Sequence, residues 1–375
     1  MLKVPRTQRI QAYLVKYLVR NAFMEEMTYA NAINQALIQA MAHNPNLVTF
    51  GLGTNDPKRI FGTTKNLVEK FGPERVFDTP TSENTMTGVQ VGLALAGIPS
   101  VVAHQRFDFF LLAMDQLVNS AAKWRFMFGG NQTIPITIRL IVGKGWGQGP
   151  THSQSLHAWL SHIPGLKVVA PASPSDAKGL LLAAIEDPNP VIVIEHRWLH
   201  GSTGLVDNGY SLTPIGSAKV VTEGEDLTVV TSSYLTAKLL SMKPKLEKYG
   251  ANFDLIDLRS YSPIDWKTIF SSIEKTGRLI VFDHGHTSGS IAGEIISKVC
   301  EERFAFLKNS PIRVAVPDIP EPTSFGLTKE YYVTDLDIAK NIFTAQNLDF
   351  PQELVGQLTS MEPHDVPSRD FKGPF

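Results

Sequence analysis

Glu83 carries a carboxylate at a position in the sequence that suits acid–base or binding chemistry. Glu83 follows the apolar pair Val76-Phe77 and precedes a run of mostly small residues over 86–92 that is typical of a helix start. Ligands of α/β folds bind beyond the carboxyl ends of the strands, so an acid at this point is well placed to contact one. Glu83 could equally cap the following helix. The local sequence leaves both interpretations open.

A histidine ends a glycine-rich stretch and forms the second candidate. His152 follows residues 143–149, which contain four glycines and Trp146. Such a loop can approach a ligand closely, and a histidine there could act as an acid or base near neutral pH. The alternative is a helix-starting histidine that hydrogen-bonds the backbone. The glycines match neither phosphate-cradling pattern, which argues against a nucleotide site.

Polar and aromatic side chains also follow two further predicted strands. These residues favour a substrate or anion site, although a solvated surface cluster and a buried phenylalanine are the competing interpretations. They are His104, Arg106 and Phe109 after one strand, and His196 and Arg197 after the other. The histidine pair in Asp283-His284-Gly285-His286 is weak evidence for a metal, because further ligands are missing nearby.

Composition limits the class of protein. The 375 residues suffice for roughly two or three domains. A net charge of −1 gives no reason to expect nucleic acid or an acidic membrane as partner. The single cysteine, Cys300, excludes an internal disulfide and fits a reducing compartment. We therefore expect a soluble protein, because no apolar run approaches the ~20 residues that span a bilayer.

The first residues are basic and lack acids. Residues 1–24 carry five Lys or Arg side chains, and apolar residues recur on one helical face. This pattern fits a transit peptide, which would place the protein in the mitochondrial matrix, or an amphipathic arm that docks on a partner. We favour an arm over residues 1–27 and a cytoplasmic protein.

Strand and helix patterns alternate along the chain and predict two α/β domains with largely parallel sheets. The predicted limits are 28–204 for the first domain, 205–213 for a linker, 214–346 for the second domain, and 347–375 for a Pro-containing tail. Strands are predicted at 47–50, 100–103, 134–138, 166–170, 191–194, 227–231, 252–257 and 278–283, and helices at 28–37, 111–126, 175–186, 236–248 and 290–304.

Several short motifs in order resemble the β-subunit of the thiamine diphosphate-dependent decarboxylating component of 2-oxoacid dehydrogenases. The resemblance covers roughly residues 28 to 345 and includes transketolase-like pyrimidine-binding and C-terminal domains. Its motifs are Asp78-Thr79-Pro80-x-Ser82-Glu83, Val91-Gly92-x-Ala94-x-Ala96-Gly97, Phe107-x-Phe109, Met114-Asp115-Gln116-x-x-Asn119-x-Ala121-Ala122-Lys123, His152-Ser153-Gln154, Pro164-Gly165-Leu166-Lys167-Val168-Val169, Asp176-Ala177-Lys178-Gly179-Leu180 and Ile256-Asp257-Leu258-Arg259.

The resemblance implies roles for four residues. Glu83 would hydrogen-bond the pyrimidine N1′ of thiamine diphosphate and stabilise the tautomer that removes the cofactor's C2 proton. Ser82 lies beside it in the cofactor site, and Phe109 would stack on the aminopyrimidine. His152 would assist substrate or acyl transfer.

A missing motif implies a partner. The Gly-Asp-Gly segment that binds diphosphate and Mg²⁺ in such enzymes does not occur in this chain. The resemblance therefore implies that this chain carries half of a site. An α-subunit would complete it in an α2β2 assembly, and the Mg²⁺ and diphosphate would be held mainly by that α-subunit. The family resemblance further includes a K⁺ site, which would fall on backbone carbonyls of Ala184, Ile185, Asp187 and Asn189.

Departures from the family pattern leave the reaction open. An acidic pair is replaced by Leu52-Gly53-Thr54-Asn55, and His104, Arg106, His196 and Arg197 predict a more cationic substrate mouth. Similar sequences resemble proteins encoded among bacterial surface-sugar genes. The main hypothesis is a 2-oxoacid decarboxylase that hands an acyl unit to a lipoyl carrier. The tail departs from the family pattern, because it extends beyond the last helix, where such subunits dock on the acyltransferase core. The alternatives are a two-component transketolase-like or acyloin-forming enzyme that transfers a C2 unit to a sugar, and a catalytically silent scaffold subunit.

Overall fold

The computed structural model describes residues 23–56, 58–145, 147–360 and 366. Most of the basic N-terminal segment and most of the last fifteen residues lie outside this range. The arm and transit-peptide predictions for residues 1–24 therefore fall almost entirely outside the described residues.

The first domain alternates strands and helices as the sequence predicts. Its strands are β1 Met24–Thr28, β2 Val48–Gly51, β3 Val76–Asp78, β4 Ser100–His104, β5 Ile136–Val142, β6 Lys167–Val169, β7 Val191–His196 and β8 Thr203–Asp207. Its helices are α1 Tyr29–His43, α2 Leu67–Phe71, α3 Glu83–Leu95, α4 Phe107–Phe110, α5 Ala122–Met127, α6 His157–Ser161 and α7 Pro174–Glu186.

Helix starts in this domain have identifiable caps. The Thr28 hydroxyl accepts a hydrogen bond from the Asn31 amide at 3.2 Å and begins α1. Ser173 does the same for the Asp176 amide before α7, where Pro174 supplies a favourable first residue. The predicted helix over 111–126 is divided into a 3₁₀ turn at Leu111–Ala113, a π-helical segment at Gln116–Ala121 and α5.

The second domain continues with the same alternation. Its strands are β9 Lys219–Thr222, β10 Thr228–Thr231, β11 Asp254–Asp257, β12 Ser260–Ser262, β13 Leu279–His286 and β14 Ile312–Val316. Its helices are α8 Ser233–Glu247, α9 Trp266–Thr276, α10 Ile291–Arg303, α11 Phe325–Tyr331, α12 Asp335–Ala345 and α13 Glu353–Leu358.

Within the described residues the strands form two main sheets and one ribbon. The larger sheet has the order β12-β6-β7-β5-β4-β2-β3, and the second has the order β14-β13-β10-β11-β9. Within these two sheets pairing is parallel except at β12 and β9, which are antiparallel edge strands, and the ribbon of β1 and β8 is antiparallel. This confirms the predicted class of two α/β domains with largely parallel sheets.

Three elements differ from the sequence prediction. Strand β1, placed in the arm, pairs with β8, which spans the predicted start of the linker at residue 205. Strand β12 comes from the second domain but extends the first domain's sheet. Helix α13 lies in the predicted irregular tail, and buries Leu354 and Leu358 against the second domain's core.

The two domains share one hydrophobic cluster and two side-chain contacts between polar groups. The cluster joins first-domain residues such as Leu140 and Leu160 to second-domain residues such as Ile256. His157 of α6 pairs with Asp283 of β13 at 2.8 Å between Nε2 and Oδ1. Arg259 pairs with Asp176 at 2.5 Å. The edge of the first sheet is thereby fixed relative to the second domain.

Gly165, in the turn that precedes β6, packs closely against the start of α5. Its φ is +97°, and an added Cβ would lie 1.9 Å from the Ala122 carbonyl oxygen. Gly250 has a similar φ of +92° with nothing within 4 Å of the same position. We expect Gly165→Ala to lower the free energy of unfolding by roughly 1–3 kcal/mol more than Gly250→Ala, because only the first adds a clash. Urea unfolding of both variants measures the difference, and equal losses would contradict the packing argument.

Candidate active site

The predicted site residues share one edge of the larger sheet. Strands β3, β4, β5 and β7 run parallel within it. The chain leaves their carboxyl ends toward Glu83, Phe109, His152 and Arg197 in turn. This edge is where open α/β sheets bind ligands.

Glu83 is the first residue of α3, and only 5 % of it is exposed. The N-cap residue is Ser82, whose hydroxyl donates to Thr85 Oγ1 at 2.8 Å and makes no cap bond. Glu83 is therefore not the cap residue. Its place at the start of α3, five residues after β3 ends, sets the Glu83 carboxyl at this end of the sheet.

The rings of Phe109, on α4, and His152, at the end of the glycine-rich loop, contact each other. Phe107 and Phe110 are buried, whereas Phe109 between them is 40 % exposed. The ring of His152 meets that of Phe109 edge-on, with centroids 5.2 Å apart and an interplanar angle of 90°. Since α4, which carries Phe109, packs against α3, the aromatic face and the Glu83 carboxyl belong to one region.

These residues fit the pyrimidine half of thiamine diphosphate. An exposed phenyl ring at a strand end can cover a flat heterocycle. A nearly buried carboxyl at a helix start can bond a ring nitrogen. The assignment of Ser82, Glu83, Phe109 and His152 to this cofactor stays a prediction of the sequence, supported by their common position.

Asp108 fixes the loop that carries His152. Its Oδ1 accepts hydrogen bonds from the Gln154 side-chain amide at 2.8 Å and from the Gln154 backbone amide at 3.3 Å. Arg106 holds the start of the same loop by donating to the Gly143 carbonyl at 3.0 Å and to the Gln148 side chain. The sequence analysis missed Asp108 as a site residue, although its place between two phenylalanines was visible.

We expect Asp108→Ala to lower kcat by up to about 100-fold, because loss of the Gln154 bonds lets His152 move relative to Phe109. Asp108→Asn keeps an acceptor oxygen and should restore most of the rate. The control Asp349→Ala alters an exposed carboxylate far along the chain and should leave the rate unchanged. Steady-state kinetics of the complete enzyme provides the measurement, and wild-type kcat in Asp108→Ala would refute the positioning role.

The two predicted substrate residues after β4 are buried. Burial lowers the pKa of His104 to about 4, so its ring is uncharged at neutral pH. Burial also lowers the pKa of Arg106, partly offset by the charges of Asp108 and Glu321. In this structure the Arg106 guanidinium is engaged with the 143–148 loop instead of forming part of an open mouth.

Of the two predicted substrate residues at the end of β7, His196 faces the second domain, and Arg197 donates to the Lys144 carbonyl of the first domain. His196 stacks on Tyr234 with centroids 4.7 Å apart, and burial and then His284 lower its pKa well below the usual value. Burial and the neighbouring Arg106 lower the pKa of Arg197 to about 9. The four residues predicted to make the substrate entrance cationic are therefore mostly buried, and the two histidines among them are uncharged. A substrate role for these four residues stays a prediction.

The described side chains give little support for a bound metal ion. Among the described residues no cluster of three or more His, Cys, Asp or Glu could hold an ion. At the end of α7 the Asp187 carboxylate accepts from the Asn189 amide at 2.9 Å and pairs with Lys167. The K⁺ site on the backbone of Ala184, Ile185, Asp187 and Asn189 stays untested. No helix in the described part of the chain has the length and apolarity needed to cross a membrane.

Comparison with known proteins places the chain in a family. Residues 25–201 match the family described as transketolase, pyrimidine binding domain, and residues 216–338 match the transketolase C-terminal domain. The chain is 40 % identical over 310 residues to the mitochondrial pyruvate dehydrogenase E1 component subunit beta-1 of Arabidopsis thaliana, covering 81 % of this chain and 85 % of that protein. The chain belongs to the β-subunit family of thiamine diphosphate-dependent 2-oxoacid dehydrogenases.

A further curated protein and a solved structure are also similar to this E1 β-type chain. It is 38 % identical over 318 residues to the beta subunit of acetoin:2,6-dichlorophenolindophenol oxidoreductase from Cupriavidus necator, covering 82 % of this chain and 94 % of that protein. Its fold resembles a split-gene transketolase, described as an inactive β4 tetramer, with a TM-score of 0.69 and 22 % identity over 86 % of this chain and 99 % of the other. The resemblance found in the sequence motifs is confirmed at the level of family and fold.

Proposed function

We propose that this E1 β-type chain supplies the pyrimidine half of a thiamine diphosphate site in an enzyme that decarboxylates a 2-oxoacid and transfers the resulting acyl or aldehyde unit. The arrangement of Glu83 and Phe109 at one sheet edge is the observation that carries this proposal. The family membership supplies the cofactor class.

Each side chain has a task that its position supports. The Glu83 carboxyl would hydrogen-bond the pyrimidine N1′ of bound cofactor, and its burial would keep water from competing for that bond. Phe109 orients the ring by contact with its exposed face. His152, held by the Asp108–Gln154 bonds, offers or accepts a proton at the substrate side. Bound thiamine diphosphate supplies the carbanion chemistry that 2-oxoacid decarboxylation needs.

The other half of the site belongs, in this proposal, to an α-subunit. The chain has no Gly-Asp-Gly segment. We propose an α2β2 assembly in which the partner holds Mg²⁺ and the diphosphate, with K⁺ as a possible additional ion on this chain. Transfer to a lipoyl carrier and a cytoplasmic location complete the proposal, with the mitochondrial matrix as the alternative location.

A second candidate is acyloin-forming or transketolase-like C2 transfer to an aldehyde or sugar. The acetoin oxidoreductase relative, which this chain matches over most of its length, favours it. A silent scaffold is disfavoured, because Glu83, Phe109 and His152 are all present at the sheet edge.

We expect the chain to turn over pyruvate only together with its α-subunit, because each chain carries half of the site. Assays of each chain alone and of the pair, with and without glyceraldehyde as acceptor, measure CO₂ release and carbon-transfer products. Acceptor-independent CO₂ release supports 2-oxoacid decarboxylation, and acceptor-dependent product supports C2 transfer. Full activity of this chain alone, or none of the pair with any 2-oxoacid, would refute the proposal.

A further inference from the structure

A cavity lies between the two domains. Its volume is about 840 Å³, within the range of small-molecule sites. The first domain contributes Lys144, His196 and Trp198 to its lining, and the second contributes Tyr234 and His284 among others. Among the described residues that line it, Glu83, Phe109 and His152 are absent. The cavity therefore does not contain the three residues assigned to the cofactor half-site, and it borders that half-site at Ser153 and Gln154.

Aromatic rings give the cavity firm apolar faces. Trp198 meets Tyr234 edge-on, with centroids 5.2 Å apart and an angle of 90°. Tyr234 in turn stacks on His196 at 4.7 Å. On another part of the wall, the ammonium of Lys144 lies 3.5 Å from the ring centre of Tyr332. Rings held in this way can cover the C–H face of a ligand with little loss of side-chain entropy.

Two uncharged imidazoles stand side by side in the wall. The rings of His196 and His284 are 5.6 Å apart. Burial lowers both pKa values, that of His284 to about 4, with further lowering by neighbouring histidines. A neutral imidazole carries one donor and one acceptor nitrogen.

Backbone contacts assign the two nitrogens of each ring. His196 Nδ1 accepts from the Trp198 amide at 3.2 Å, so its proton lies on Nε2. His284 Nε2 donates to the Ser232 carbonyl at 3.2 Å, so its Nδ1 is the acceptor. The pair therefore offers one donor and one acceptor side by side, which matches hydroxyl groups that both accept and donate.

The charged side chains of the lining are already engaged. Lys238 forms an ion pair with Asp335, and Asp283 pairs with His157. Asp318 accepts from the Ser288 amide at 2.9 Å and its hydroxyl at 2.6 Å. The remaining contacts are Glu321 with the Tyr332 hydroxyl and Lys144 with the Tyr332 and Trp198 rings. A charged ligand would have to break these contacts, whereas a neutral one would not.

We propose that this interdomain cavity binds a neutral polyhydroxylated molecule, a sugar of one or two rings, at a site distinct from the cofactor half-site. Adjacent hydroxyls would bond the His196 and His284 nitrogens, and a ring face would lie on the aromatic wall. Ser153, Gln154 and Ser155 line the cavity directly after His152, so a bound sugar contacts the loop that the site uses.

Calorimetric titration of the full chain with D-glucose and with cellobiose tests the proposal, with sodium pyruvate and adenosine as comparison ligands. We expect at least one sugar to bind, with at least tenfold weaker affinity in His196→Phe and in His284→Phe, which keep a flat ring but lose its nitrogens. His43→Phe is the matched control on an exposed histidine outside the cavity and should bind like the wild type.

Amide hydrogen exchange of the wild-type chain provides a readout that requires no variant to fold. We expect added sugar to slow exchange in segments 143–155 and 283–288, which border the cavity. The proposal is overturned if neither sugar gives heat or protection. It is likewise overturned if pyruvate or adenosine binds more tightly than both sugars, or if both histidine variants fold and keep wild-type affinity.

Discussion

The change Glu83→Gln is expected to reduce kcat of the complete enzyme by about 100- to 10,000-fold, the range for loss of a positioned acid–base group. Gln is nearly the same size and keeps a polar end, so the packing at the start of α3 should survive. It cannot hold the exchangeable proton that the pyrimidine nitrogen needs. The loss should therefore fall on the reaction and leave the fold unchanged.

A matched variant separates catalysis from local structure. Glu294 also lies in the first turn of a helix, α10, but it is exposed in the second domain. Glu294→Gln should keep the wild-type rate. Circular dichroism and thermal unfolding of both variants should resemble the wild type. A Glu83→Gln enzyme with more than half of the wild-type kcat would show that the carboxyl is not required.

The second large effect is on stability and concerns a buried ion pair in the middle of the sheet. Arg139 of β5 and Glu195 of β7 are fully buried, and Arg139 Nε lies 2.5 Å from Glu195 Oε1. Arg139 Nη2 also donates to Thr63 at 2.9 Å, and His200 lies 3.3 Å from the other Glu195 oxygen. Glu195→Gln leaves the guanidinium without its counter-charge and should cost about 3–5 kcal/mol of unfolding free energy.

Two comparisons make this prediction specific. The exposed pair Arg59–Glu69 offers the control Glu69→Gln, for which the loss should be about 0–1 kcal/mol. Chemical denaturation of both variants gives the two values. A loss at Glu195 no larger than that at Glu69 would contradict the role of the buried pair.

The same pair predicts a pH dependence. Burial raises the pKa of Glu195, but the Arg139 charge and the bonds from His200 and Arg139 outweigh it and hold the value at about 2. Because this value is below that of the unfolded chain, the pair contributes its full stability above about pH 4.5. That contribution falls as the pH drops from there toward 2. In Glu195→Gln this part of the acid sensitivity should disappear.

The sequence predicted the parts of the fold that depend on local pattern. The runs at 100–103 and 191–194 are apolar, and both became central strands. Glu195 follows the second run, next to the predicted substrate residues His196 and Arg197. Its true partner, Arg139, lies 56 residues away in the chain, and a local pattern carries no signal for such a contact.

Elements that depend on distant pairing were missed for the same reason. Strand β1 is short and mostly polar, and it is held by β8 almost 180 residues later. Strand β12 pairs with a sheet of the other domain. The candidate site was found because Glu83, Phe109 and His152 each follow a strand, and parallel strands bring their ends to one edge. Arg106 and Arg197 contact the 143–148 loop, and His196 contacts the second domain, so their burial depends on distant segments and could not be predicted.

The central claim is that the Glu83 carboxyl activates thiamine diphosphate. Hydrogen–deuterium exchange at the cofactor C2 position, followed by quenched-flow NMR in the complex with the α-subunit and without substrate, tests it most directly. The account predicts rapid exchange with the wild-type chain and with Glu294→Gln, and exchange as slow as that of free cofactor with Glu83→Gln. Unchanged rapid exchange in a folded, cofactor-bound Glu83→Gln complex would contradict it.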